Sequence, residues 1–215
     1  MDAILQYFAD FNLIKVIDMA GLVIGLVYLW LEFKASIWLW LVSIIMPIVH
    51  GYLYFARGLY ADFGMQVYYI LAAIYGYAMW RWAKRSTNVE TQNFDSSEKE
   101  ELPITHFPLR RVLPVTIIGL ALWALLYWIL ITFTDSSVPV YDSFTTALSM
   151  VALWALAQKY AEQWLMWLVV DAVCASLYIY KQIPFSATLY AIYTVIAIFG
   201  YVYWLKKIPQ SSQTT

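Results

Sequence analysis

Seven apolar runs dominate this chain and leave few options for its fold. They cover about residues 16–33, 37–55, 63–82, 112–133, 144–158, 164–179 and 185–205, and each is 15 to 22 residues long. A bilayer crossing takes about 20 apolar helical residues. Hydrocarbon is crossed only by helices or closed barrels, because every backbone N–H and C=O must be satisfied within the protein. Continuous runs of this length, without strict alternation, read as helices. Composition agrees: 63% of the 215 residues are hydrophobic and 13% are charged, against about 45–50% and 25% in a soluble domain. An ordinary soluble enzyme, a disordered chain and a disulfide scaffold are excluded. The net charge of −1 argues against nucleic acid as a partner, and the surrounding medium is the lipid bilayer.

The expected fold is therefore an all-α integral membrane protein with seven transmembrane helices. Residues 1–15 read as an N-terminal interfacial segment, with Ile4, Leu5, Phe8 and Phe11 at helical spacing and no basic signal-peptide start. A first three-helix bundle covers 16–83, a polar loop 84–111, a connecting helix 112–133, a second three-helix bundle 142–207 and a tail 208–215. Within the loop, the stretch 86–108 is rich in Ser, Thr and Glu and reads as solvated, not as a second domain. The fifth and sixth runs are short and are expected to extend through amphipathic ends. Lys15, Arg57 and Lys181 fall on one membrane face and ten basic residues on the other. Basic residues favour the cytoplasmic side, so the N-terminus is expected outside and the C-terminus in the cytoplasm.

An internal repeat sharpens the architecture. A shift of 124 residues aligns Leu53-Tyr54 with Leu177-Tyr178, Tyr69 with Tyr193, and Ala73-Ile74 with Ala197-Ile198. It also aligns Gly76-Tyr77 with Gly200-Tyr201 and Trp80 with Trp204, giving eight identities in 28 columns, and carried back it pairs Trp40 with Trp164. Spans one to three and five to seven would then be parallel repeats, with the fourth helix restoring direction: a 3+1+3 arrangement. Transporters use such duplication to place a substrate site between two similar bundles.

Polar groups inside the spans are the candidates for function, because burying them in hydrocarbon is costly without a partner or a role. Gln66 and Tyr69 share a face of the third span with Ala73 and Gly76, and Tyr190 and Tyr193 share the matching face of the seventh. On the sixth, Trp164, Trp167 and Asp171 follow i, i+3, i+7, and His50 lies with Pro47 within the second. Each of these has a structural reading beside the functional one: an aromatic stripe packs helices, Glu162 caps the sixth helix, and Asp62 caps the third. Asp171, flanked by Val169, Val170, Ala172 and Val173, is the hardest to assign to structure alone. Cys174, the single cysteine, reads as a small hydrophobe. No metal spacing, nucleophile elbow, phosphate loop or Cys-x-x-Cys is found, so neither catalysis nor a cofactor is expected. An aromatic cavity with one or two carboxylates suits a small planar, cationic or neutral ligand.

These residues also form recognisable motifs. Gly58 to Trp80, GLYADFGMQVYYILAAIYGYAMW, resembles the PnuC family of vitamin transporters, in which L-Y-A-D, Q-x-x-Y and Y-G-x-x-x-W recur. Ala161 to Trp204 is similar to that family's E-x-W-x-x-W-x-x-x-D/N segment and final helix. The resemblance implies a seven-helix fold like a full-length relative of the SWEET transporters. It further implies uptake of nicotinamide riboside by facilitated diffusion across a bacterial inner membrane, with trapping by a cytoplasmic kinase that phosphorylates the vitamin. By motif position, Gln66, Tyr69, Trp164, Trp167 and Asp171 would line the site. A carboxylate at Asp171 would equally read the aminopyrimidine of thiamine, carried by a sister subgroup. A non-transporting membrane binding or assembly subunit is the reading from another class. The oligomeric state stays open, a homo-oligomer included.

Overall fold

The structure, a computed structural model, describes residues 23–56, 60–82, 102–182 and 184–208. The expected interfacial segment at 1–15, most of the polar loop and the tail beyond 208 lie outside the described residues. Seven helices follow in order: α1 (Val23–Phe33), α2 (Trp38–Ala56), α3 (Tyr60–Trp82), α4 (Leu109–Phe133), α5 (Pro139–Ala157), α6 (Gln163–Tyr180) and α7 (Pro184–Leu205). The fold is all-α, as expected. Among the described residues five of these helices, α2 and α4 to α7, are long and apolar enough to cross a bilayer. The 23 residues of α3 are long enough, but five tyrosines and Gln66 lower its hydropathy.

The chain divides into two compact units, Met1–Tyr77 and Ala78–Thr215. In the second, α6 packs most extensively on α7, α4 on α5, and α5 on α6. No residue of α4 is buried, so in this unit it is a peripheral helix. It meets α5 where Gly119 lies against Val151 and where the Trp123 and Phe144 rings stand edge to face at 5.3 Å.

One helix end differs from the sequence reading. The α5 helix starts at Pro139, five residues before the apolar run at Phe144. Pro139 suits the first helical position, where its missing N–H is no loss. Asp142 sits in the first turn, where a negative charge complements the helix dipole, and accepts a 2.7 Å hydrogen bond from Ser136. Within α5, Ser143 and Thr145 donate back to carbonyls one turn earlier, at 2.6 and 3.0 Å, so their hydroxyls enter the apolar layer already satisfied.

The turns ahead of α2 and α6 share one backbone plan. Ser36 donates to Leu31 and Ala35 to Glu32, at 2.9 Å each, and Tyr160 donates to Ala155 and Lys159 to Leu156, at 3.0 and 2.8 Å. Ala35 and Lys159 carry φ of 54° and 53°. This is a Schellman termination with its left-handed residue, here without glycine in either unit. Three more pairs match at the same 124-residue shift: Lys34→Trp30 with Gln158→Trp154, Leu39→Ser36 with Gln163→Tyr160, and Trp40→Ile37 with Trp164→Ala161.

A tryptophan in the first turn of the helix that follows each turn fills a glycine notch. A Cβ added at Gly76 would overlap the Trp40 ring, and one added at Gly200 would come within 2.6 Å of the Trp164 ring. Trp40 and Trp164 are 1% and 2% exposed, and Trp164 also stands edge to face on Trp204 at 5.9 Å. Alanine normally stabilises a helix interior over glycine by about 1 kcal/mol. Here the sign reverses: Gly76→Ala and Gly200→Ala are each expected to destabilise by roughly 1–3 kcal/mol through overpacking. Gly64→Ala, with open space around it, is expected to stabilise. Thermal unfolding of the three variants in detergent checks the contrast.

Candidate functional site

In the second unit the polar face of α6 meets α7. Asp171 is 8% exposed, and no described residue hydrogen-bonds or ion-pairs its carboxylate. The hydroxyls of Tyr190 and Tyr193 lie within its electrostatic reach, and those two rings stand edge to face at 5.9 Å. The structure therefore brings together Asp171, Tyr190 and Tyr193. One turn before Asp171, Trp167 is half-buried, and its indole N–H is enclosed without an acceptor. A buried unsatisfied donor costs about 1–3 kcal/mol. Trp164 has a different task in this arrangement, since its ring is enclosed by Gly200 and Trp204.

In the first unit the His50 and Tyr54 rings lie 6.0 Å apart on α2. Gly51 lets Gln66 of α3 approach, since a Cβ there would sit 3.5 Å from that of Gln66. Tyr69 follows one turn along α3 and touches Tyr68 at 5.6 Å between ring centroids. Gln66 thus sits where α2 and α3 meet, while the ring contacts of His50 and Tyr69 are with neighbours on their own helices.

Glu162 does something the sequence reading missed. It holds the N-cap position of α6 but makes no side-chain cap. Instead it accepts hydrogen bonds from the Phe107 backbone N–H at 2.7 Å and pairs with His106 Nδ1 at 2.8 Å. Residues 102–108 are consequently a strap across the α5–α6 turn, not a solvated loop. Thr105 donates to Lys159 at 3.1 Å and accepts from Ala161 at 3.0 Å, and Leu102 and Ile104 are buried. Phe107 packs its ring on Tyr160 at 5.0 Å, and Arg111 donates to the Tyr160 hydroxyl at 2.9 Å. The period-2 pattern of Leu102 and Ile104 was the available signal, and the surrounding polar composition masked it. In the same turn Lys159 is 3% exposed, its ammonium 4.3 Å from the Trp80 ring centroid. Trp80 in turn donates to the Leu156 and Ala157 carbonyls at 3.3 and 3.1 Å.

A groove of about 610 Å³ runs between α4, α5 and α6, walled by Leu120, Trp123, Phe144, Val151 and Met166. Its carboxylate, Glu162, is already committed to the strap. Beyond that carboxylate its lining is apolar apart from Thr116, and it suits hydrocarbon.

With this geometry in hand, the chain can be set beside known proteins. The sequence pattern of a family described as nicotinamide mononucleotide transporter matches residues 15–206. The chain belongs to that family. It is similar to the nicotinamide riboside transporter PnuC of Neisseria mucosa, 24% identical over 186 residues that cover 83% of this chain and 68% of the relative. The PnuC of Escherichia coli K12 is 24% identical over 215 residues, covering 89% and 85%. The riboflavin/roseoflavin transporter RibM of Streptomyces davaonensis is 26% identical over 196 residues, covering 91% and 87%. The crystal structure of the vitamin B3 transporter PnuC shares the fold, with a TM-score of 0.62, 22% identity, and 86% of this chain and 79% of that one covered. As a member of the nicotinamide mononucleotide transporter family, the chain is a multi-pass membrane transporter and not an enzyme.

The strap supplies a direct check on the local geometry. Glu162→Ala leaves the Phe107 N–H without its acceptor and is expected to cost roughly 1–3 kcal/mol. Glu162→Gln keeps one acceptor oxygen and should lose less. Thermal unfolding, with hydrogen exchange at the Phe107 amide, reads both effects.

Proposed function

We propose that this transporter takes up nicotinamide riboside by facilitated diffusion, with a cytoplasmic kinase trapping the phosphorylated product. The observation that carries the reading is the uncompensated Asp171 beside Trp167, Tyr190 and Tyr193. A pyridinium nucleoside needs an aromatic face, a negative charge and hydrogen-bond partners for its carboxamide and ribose. The α6–α7 face has all three types of group. The names of the Neisseria and Escherichia relatives agree with it.

In this reading the substrate contacts of the C-terminal unit are Trp167, Asp171, Tyr190 and Tyr193; taken by itself, the N-terminal unit offers His50, Gln66 and Tyr69. Trp164, enclosed against Gly200, positions Trp167 by fixing α6 on α7. The shared turn geometry at a 124-residue shift supports two parallel three-helix repeats, the architecture of a carrier that alternates between faces. The ten-to-three basic asymmetry supports an outside N-terminus and a cytoplasmic C-terminus in a bacterial inner membrane.

The likeness to RibM favours one competing substrate, riboflavin. Its isoalloxazine is neutral, so it gives Asp171 no charge to balance. Thiamine is likewise cationic and aromatic, and differs in its aminopyrimidine and in lacking the carboxamide and ribose. Binding of all three vitamins to the purified protein decides among them, and failure of nicotinamide riboside to bind refutes the proposed substrate.

Removing one stacking ring costs about 1–2 kcal/mol, or roughly five- to thirtyfold in affinity. Trp167→Ala is therefore expected to weaken binding by that factor while leaving thermal stability nearly intact. Asp171→Asn keeps hydrogen bonding but removes charge, so unchanged affinity would argue against carboxylate–cation attraction. For the transport mode, vesicles without an ion gradient should still exchange labelled vitamin for unlabelled. An absolute requirement for a proton gradient would exclude the passive mechanism.

A further inference from the structure

The polar face of α6 continues past Asp171. Cys174 and Tyr178 follow at i+3 and i+7, and both are only partly buried. From α7, the Tyr190 ring lies on that of Tyr178 at 5.3 Å between centroids and 18° between planes. Two helices of one unit thus place a thiol and a near-parallel aromatic pair directly beyond the carboxylate.

The internal repeat gives this cluster a second, independent meaning. Shifted by 124 residues, Cys174, Tyr178, Tyr190 and Tyr193 become His50, Tyr54, Gln66 and Tyr69. In the N-terminal unit the His50 and Tyr54 rings lie together on α2, and Gln66 of α3 lies opposite Gly51. Five of the eight positions already stand as substrate contacts in the proposed function. The register leaves Tyr54, Cys174 and Tyr178 as the missing members.

We propose that Cys174 and Tyr178 extend the substrate-binding face of α6, so that a planar aromatic cation held at Asp171 lies along the Cys174 thiol with its ring against the Tyr178–Tyr190 pair. This rests on the proposed vitamin-binding function and deepens it. Tyr178 supplies aromatic surface and sets how long a planar ligand can be. Cys174 is small enough to leave room for the ligand and is covered when one is bound.

The chain's single cysteine makes the test direct. The full-length protein in detergent is treated with methyl methanethiosulfonate, and methylthiolation of Cys174 is followed by mass spectrometry with and without nicotinamide riboside, whose binding is measured separately by calorimetry. Saturating ligand is expected to slow the modification at least about fivefold. Tyr178→Ala is expected to lose about fivefold or more in affinity, while Tyr178→Phe stays within about twofold, as a stacking role requires. Equal modification rates with ligand demonstrably bound overturn the proposal. If the free thiol does not react, the tyrosine series decides, and unchanged affinity in Tyr178→Ala overturns it. If Tyr178→Ala fails to fold, the protection result decides. Should nicotinamide riboside not bind, the same measurements run with whichever of thiamine or riboflavin does. Binding of none of the three removes the vitamin reading and this inference together.

Discussion

An indole ring seated on a glycine holds each unit of this protein together. In hydrocarbon there is no hydrophobic drive to press helix on helix, so association depends on close van der Waals fit, and small residues permit it. Gly76 and Gly200 are the small residues, and Trp40 and Trp164 are the large ones that fill the space. The consequence reaches the chemistry, because Trp164 sits one turn before Trp167 and two before Asp171 on α6. Fixing the indole fixes the rotation of α6 about its axis, and with it the direction in which the carboxylate and the half-buried tryptophan point.

The turn that launches α6 is secured from another direction. The strap at 102–108 adds two backbone hydrogen bonds, a carboxylate anchored at Glu162 and an aromatic cluster around Tyr160. Lys159 occupies the left-handed position of that turn and is nearly enclosed, with Trp80 beneath its ammonium. A charge there is tolerable because the ring quadrupole and the carbonyls at the end of α5 both favour a cation.

Much of this was legible before any coordinates. Helix number and type follow from the length of the apolar runs, because a spanning segment has no alternative way to satisfy its backbone. Helical spacing set Trp167 and Asp171 on one face of α6 and Tyr190 and Tyr193 on one face of α7, but spacing alone does not say which faces of two helices meet. Other features were hidden for physical reasons. The start of α5 depends on a proline, a serine and an aspartate, which read as loop by composition. The strap depends on pairing with residues more than fifty positions away, and local polarity says nothing of that. Glu162 looked like a cap by position, yet its oxygens are turned to the strap. The Tyr54–Tyr178 identity was on the page from the start as part of the repeat, but two aromatic residues near helix ends resemble an interfacial belt until the ring of Tyr190 is seen lying on Tyr178.

The isolated carboxylate of Asp171 has a thermodynamic corollary for a carrier of cations. While ionised, it makes the empty site carry one negative charge and the site loaded with a monovalent cation carry none. Under the proposed uptake of a monovalent cation, each cycle would still move one positive charge inward, and the resting potential would favour accumulation by about 2.3 kcal/mol per 100 mV. The fixed charge leaves that total untouched and decides only where in the cycle voltage acts. Loaded reorientation becomes electrically silent, and the return of the empty site becomes the step that feels the field.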